Sequence, residues 1–259
     1  MIYAKISRGF RSGGQNLRAS SAITFVPFQP ETVNEIEVGT KNQFFHRRLR
    51  LNVAAYRSKL KDAQRTTFQF NAANSQLFTI LGNAAGVRVW GLEADATAIL
   101  FEGFQLSANG SLTKPKYTKY SEAPTPQNPT GDRRAERFDG VPEKTFSLTA
   151  NYERDVDVGR LRLNVNYSWQ SKTPLFSWNN PLDPNNAALI AATTTPAGGI
   201  WNARAGLQFD DGRYEVAVFG RNLGNNRDIV TALVIDPFGY SSGIRREPRT
   251  YGVELKFDF

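Results

Sequence analysis

Apolar and polar side chains alternate with a period of two along most of this 259-residue chain. Residues 160–170 show it without a fault, with Leu161, Leu163, Val165, Tyr167 and Trp169 in one series and Arg160, Arg162, Asn164, Asn166, Ser168 and Gln170 in the other. Successive side chains of a strand point to opposite faces, so the pattern predicts a strand with one apolar and one wet face. Phe104, Leu106, Ala108, Gly110 and Leu112 repeat it, as do Trp201, Ala203, Ala205, Leu207 and Phe209, and so do 92–100, 146–152 and 214–219. Looser strands cover 2–10, 33–45 and 48–62, the last with a slip near Ala54–Tyr56 that predicts a bulge. The chain closes on the same alternation, Tyr251, Val253, Leu255, Phe257 and Phe259 against Gly252, Glu254, Lys256 and Asp258.

The connections alternate too, in length. Short turns fall at 46–48, 102–103, 155–159 and 210–212, whereas 10–32, 63–83, 116–142, 172–197 and 224–246 are long and rich in Pro, Gly, Asn, Thr and Ser. Loops above about 15 residues are uncommon in compact domains, yet here they recur at every second connection. Strands of about 9–11 residues, when tilted, are long enough to cross a bilayer. The fold class expected is therefore all-β, an antiparallel transmembrane β-barrel wall of about ten strands, with short periplasmic turns and long extracellular loops. A soluble sandwich would also alternate, but it leaves the one-sided long loops unexplained. Rings near strand ends, such as Tyr167 and Trp169, suit the headgroup boundary.

Composition then narrows the partners. No apolar run approaches the roughly 18 residues of a membrane-spanning helix, so only strands could span. Cysteine is absent, which removes disulfide and thiolate-metal readings, and His46 is the only histidine. A net charge of +8 suits nucleic acid, lipopolysaccharide or an anionic solute. Nucleic-acid binders gather their basic residues on one element, whereas here the local pairs Arg47-Arg48, Arg133-Arg134 and Arg245-Arg246 stand far apart, so no nucleic-acid partner is expected. Residues 1–12 hold neither the apolar core nor the cleavage site of a signal peptide.

Several stretches now read as words. Tyr3-Ala4-Lys5-Ile6-Ser7-Arg8-Gly9-Phe10-Arg11-Ser12-Gly13-Gly14, Pro30-Glu31 and Glu37-Val38-Gly39-Thr40-Lys41 are followed by Asn83-Ala84, Gly91-Leu92-Glu93, Gly220-Arg221-Asn222-Leu223 and Arg249-Thr250-Tyr251-Gly252. In this order and spacing they resemble TonB-dependent outer-membrane receptors over essentially the whole chain. The resemblance implies a 22-stranded barrel in the Gram-negative outer membrane, an N-terminal plug, a TonB-contacting box, and energised import of a scarce solute, a ferric siderophore first, with cobalamin, haem or oligosaccharide open. Residues 1–259 would be one partial barrel domain, the C-terminal ten strands, without plug, box or signal peptide; TonB would be met only through the missing plug. It also implies that the terminal series Tyr251, Val253, Leu255, Phe257 and Phe259 is the signal read by the barrel assembly machinery. A barrel remnant without transport and a self-contained ten-stranded barrel are the alternatives.

No catalytic constellation emerges, and no cofactor or metal site is expected. An outer-membrane protease of the omptin kind would need a histidine at the extracellular rim, whereas His46 falls in a short periplasmic turn. Glu93 and Asp95 share the wet face, where Arg88 and other lumen arginines are expected to compensate them, which reads as a charge-lined wall rather than an acid/base pair. Solute binding is the better use of the loops. Phe176 and Trp178, with Phe238 and Tyr240, place rings in polar loops where they can stack on a planar solute, or else pack loop on loop. Arg133, Arg134 and Arg137 could meet an anionic ferric chelate, or lipopolysaccharide phosphates, as could Arg245 and Arg246. Gly13-Gly14 and Gly198-Gly199 read as turn residues, and Asn222 as an organiser of its strand end.

Overall fold

The computed structural model describes residues 1–16, 25–71, 76–122, 124, 129–175, 187–235 and 240–258, of which 67–71, 76–79, 188–189, 234–235 and 240–241 are described in backbone only. Ten strands form one antiparallel sheet: β1 Ile2–Arg11, β2 Glu31–Phe44, β3 Leu49–Asn71, β4 Gln76–Phe101, β5 Phe104–Tyr120, β6 Lys144–Val156, β7 Gly159–Gln170, β8 Gly198–Phe209, β9 Tyr214–Arg221 and β10 Thr250–Phe257. Their spatial order is their chain order, and β1 and β10 are its two ends, unpaired with each other.

Register turns the alternation into two surfaces. One ladder row from β2 to β10 runs Phe44, Leu49, Ala98, Leu106, Ala150, Val165, Ala203, Gly220 and Tyr251, without a polar side chain except the Tyr251 hydroxyl. The adjacent row, on the opposite face, runs Gln43, Arg50, Thr97, Ser107, Thr149, Asn166 and Asn202, all polar. The apolar side chains are left open, with Ile6 83% and Tyr251 80% exposed, so this face requires an apolar surrounding rather than water. The buried apolar cluster lies on the opposite, inner face at the long-loop end: Ala63, Ala85, Val87, Tyr117 and Tyr120, with Phe138 packed against it.

Short turns close the hairpins at one end. At Glu102-Gly103 the φ of Gly103 is 77°, and a Cβ there would lie 2.0 Å from the Glu153 carbonyl oxygen, so only glycine fits. Outward rings gather beside these turns, Phe101 stacked on Phe104 at 4.9 Å and Tyr214 5.9 Å from Phe257. Farther toward the long-loop end Tyr167 stacks on Trp201 at 4.4 Å.

Three sequence expectations change. No bulge lies at Ala54–Tyr56: β3 and β4 pair without a break from Leu49 to Leu60, and the irregularity falls between Leu60 and Gln64, where Asp62 has a positive φ. Tyr56 looked out of pattern because it is an inward ring seated on a glycine; a Cβ on Gly91 would be 2.1 Å from it. The loop expected at 63–83 is mostly ladder, since pairing continues to Asn71 and Gln76. Gly198-Gly199 opens β8 rather than turning, and a Cβ on Gly199 would lie 2.4 Å from the Tyr167 ring. The other long connections carry small elements of their own, including helix α1 at Ala187–Ala192 and a hairpin of Ile229–Ile235 with Tyr240–Arg245.

Candidate functional site

The inner face at the long-loop end is where side chains converge. Described residues of the 121–143 connection fold back over β3–β5 as a strap. Phe138 stacks on Tyr117 at 5.2 Å, and the Arg65 guanidinium lies 4.6 Å from the Phe138 ring centre and 3.7 Å from the Asp139 carboxylate. Backbone bonds fix both ends: Arg133 N–H donates to the Tyr120 carbonyl at 2.9 Å, and Gly140 N–H to the Pro174 carbonyl at 2.8 Å.

Inside the strap the Arg133 guanidinium donates to both Glu122 and Glu136 and sits 5.6 Å over the Tyr120 ring. Two carboxylates thus share one cation in a place where little water reaches. Burial pushes the Glu136 carboxyl up to about 7, against the pull of Arg133, and raises Glu122 for the same reason. Of the strap arginines expected to meet an anionic solute, Arg133 is therefore committed within the strap. Arg134 is exposed and clasps Asp132 at 2.6 Å, holding that carboxyl below its usual range, while Arg137 is exposed without an ion pair among the described residues. Phe176, Trp178, Phe238 and Phe259 lie outside the described residues, and Tyr240 is described in backbone only, at the start of a loop strand. Tyr251, Val253, Leu255 and Phe257 line the outer face of β10.

A second set of contacts pins the first long connection to the same inner wall. Asn83 brackets the Gln29 backbone, its Oδ1 accepting from Gln29 N–H at 2.6 Å and its Nδ2 donating to Gln29 O at 2.8 Å. Asn16 does likewise with Leu81, and Gln64 Nε2 donates to Ser12 O. These amides mimic strand pairing, a role invisible to periodicity.

Below the loops the inner wall is polar and internally bonded. Tyr3 Oη donates to Glu37 at 2.7 Å, Lys5 Nζ bridges Glu35 and Glu37, and Arg204 reaches Glu215 at 2.7 Å and Glu254 at 3.3 Å. A cleft of about 410 Å³ is lined by Tyr3, Glu37, Asn52, Glu93, Asp95 and Ser111, among others. Arg88 does not serve Glu93 and Asp95 as expected. It pairs with Lys59 and Lys116 in the outward row, and Asn52 Nδ2 meets Asp95 instead, at 3.0 Å. His46 is exposed in its short turn, and the described residues contain no cluster of three or more metal-binding side chains.

Asn222 organises the last long connection. Its Nδ2 donates to the Asn226 and Glu247 carbonyls, each at 2.8 Å, and its Oδ1 accepts from Asn226 N–H at 2.8 Å. Asn222→Ala removes these three bonds from a buried side chain to partly buried or exposed backbone, so the stretches flanking Asn226 and Glu247 are expected to loosen by about 1 kcal/mol for each bond lost. Faster amide exchange at Asn226 measures it; unchanged exchange would refute the role.

The family model for "TonB dependent receptor-like, beta-barrel" matches residues 1–223. The chain belongs to this family. Solved structures agree in fold: the ferric yersiniabactin uptake receptor FyuA from Yersinia pestis superposes with a TM-score of 0.78 at 18% identity, over 100% of this chain and 35% of that one. The siderophore receptor PiuA from Acinetobacter baumannii gives 0.71 at 17%, over 99% and 33%. The ferripyoverdine receptor of the Pseudomonas aeruginosa outer membrane gives 0.66 at 16%, over 100% and 31%. This receptor-barrel chain thus spans about a third of the length of the structures it matches. The ten-stranded ladder is accordingly TonB-dependent receptor barrel wall, in a family of outer-membrane receptors.

Proposed function

We propose that this chain is the lipid-facing wall and the solute-facing mouth of an outer-membrane receptor for TonB-dependent, energised uptake of a ferric siderophore. The observation that carries this reading is the pair of adjacent ladder rows, one apolar from Phe44 to Tyr251 and one polar from Gln43 to Asn202, which needs lipid on one side and water on the other. The strap and the amide-pinned first loop support it by building a shaped surface over the inner wall. The outward row of β10 is the surface offered to the assembly machinery. Solute specificity resides in the loops, with Phe176, Trp178, Phe238 and Tyr240 supplying rings and Arg134 and Arg137 charge. The siderophore class is supported by the siderophore receptors among its structural neighbours.

The test is radio-iron uptake from ferric catecholate, ferric hydroxamate and haem in a receptor-deficient Gram-negative host. The chain is supplied alone, or joined behind the plug and preceding strands of a related receptor. Uptake by the joined form only is expected, and uptake by neither would reduce the chain to a non-transporting wall. In the joined form Phe176→Ala or Trp178→Ala should weaken chelate binding by about 0.5–1.5 kcal/mol, and unchanged affinity would retire that ring.

A further inference from the structure

The inner wall is uneven in charge. Four successive inward rungs cross β5, β6 and β7, from Gln105, Asn151 and Asn164 at one end to Ser111, Thr145 and Gln170 at the other, and every inward side chain of this block is a hydroxyl or a carboxamide. Charge returns on three sides. The same rungs reach Glu93 and Asp95 on β4 and Arg204 on β8, and the next two rungs toward the short turns pair Glu153 with Arg162 and Asp155 with Arg160. On the fourth side, the long-loop end, stands the strap. It leaves β5 after Tyr120 and enters β6 at Lys144, while its Gly140 bonds to Pro174 just beyond β7, so it spans the mouth end of the block.

The surrounding charges are committed to one another, Asp155 with Arg160 and Arg204 with Glu215, each at 2.7 Å. The block keeps hydrogen-bonding capacity in hand. Ser111 bonds to Thr145 at 2.7 Å and Asn164 to Asn151 at 2.6 Å, but Asn109, Ser147 and Gln170 make no side-chain hydrogen bond among the described residues. A neutral wall of this kind trades hydrogen bonds with water and with a polar solute at little net cost, because each new bond replaces one to water. A fixed charge would instead hold an ionic solute or turn it back, and passage needs contacts weak enough to leave.

We infer that the uncharged sector of β5–β7 is the track along which the hydrated solute moves from the strap toward the short turns. The inference rests on the uptake reading above and adds the side of the wall that the solute follows.

The chain has no cysteine, so single thiols can be placed in it without background. Asn166→Cys lies in the track, and Gln43→Cys lies on the same rung but on β2. Each is put into the joined form described above, made cysteine-free elsewhere, and labelled in cells with a bulky uncharged maleimide while ferric catecholate or ferric hydroxamate is taken up. Labelled Asn166→Cys is expected to lose uptake of either chelate while surface binding, measured in the cold, is unchanged. Labelled Gln43→Cys is expected to keep both. Independently, Asn166→Asp should slow the anionic catecholate about fivefold, the repulsion of one unit charge met through water, and spare the uncharged hydroxamate, whereas Gln43→Asp should slow neither. If the wild-type joined form takes up neither chelate, the receptor reading itself falls. If it does, and labelled Asn166→Cys transports as well as labelled Gln43→Cys, or the reagent fails to reach Asn166→Cys during uptake, only the track falls. Weaker surface binding, or loss of resistance to urea extraction, together with lost uptake would mean that a folded segment docks on the sector, which also overturns the track.

Discussion

Arginine at Ala108 is expected to expel the chain from the membrane-embedded fraction, while arginine at its neighbour Asn109 is expected to leave it there. Ala108 is the middle of the five outward positions Phe104, Leu106, Ala108, Gly110 and Leu112, and it stands between Ala96 and Leu148 in the register. A guanidinium there faces hydrocarbon at mid-depth and costs about 2–4 kcal/mol, too far from either boundary to escape easily by bending toward it. Asn109 points inward between Asp95 and Ser147, where a cation meets water and a carboxylate. The comparison holds strand, sequence position and added charge nearly constant and changes only the face. Resistance to urea extraction from isolated outer membranes reads the outcome. Equal behaviour of the two variants would mean that the outer face does not meet lipid, and the receptor-wall reading would fall with it.

That contrast is legible in the sequence because a period of two needs no knowledge of partners. Val165 and Asn164 declare opposite faces from their own spacing, and every clean series in the sequence falls on one surface of the sheet. What required register stayed hidden. Arg8, Lys59, Arg88 and Lys116 are far apart in the chain, and only the ladders set them side by side. For the same reason charge alone misleads at Arg88: it suggests the wet face, whereas even spacing from Trp90 and Leu92 sets the residue on the outer one. The extension of β3 and β4 beyond Leu60 is obscured by the irregularity at Asp62 and by the polar run Gln64, Arg65 and Thr66, which resembles a loop by composition. Within the candidate site, the strap arginines were legible as charges but not by role, since Arg133 finds Glu122 eleven positions away by a fold of the loop itself.

Removing that guanidinium is expected to open the strap. Glu122 and Glu136 have side chains only 8% and 4% exposed, and each keeps one carboxylate oxygen without a hydrogen-bond partner even with Arg133 in place. Arg133→Met leaves two adjacent buried carboxylates with no cation between them, a change costing about 3–5 kcal/mol, more than a surface strap of this size can absorb. Proteolysis within 121–143 should accelerate accordingly, whereas the triple variant R133M/E122Q/E136Q, which removes all three charges together, should recover much of the protection. The same pocket makes the strap sensitive to pH. With Glu136 raised from an ordinary carboxyl value to about 7, its contribution is fully present below about pH 4.5, where the open strap is protonated too. Between there and neutrality the open form ionises first, so the contribution is lost as pH rises through 7, by about 3 kcal/mol in all. Amide exchange at Arg133 and Glu136, corrected for intrinsic rates, should therefore show easier opening at pH 8 than at pH 5, with the difference reduced in Glu136→Gln. Charge on the strap then weakens its hold on Tyr117 and Tyr120 just where the inner wall meets the mouth, so alkaline conditions favour access to that wall. Identical opening at both pH values in the wild type would show that Arg133 fully offsets burial and that the triad is a fixed brace.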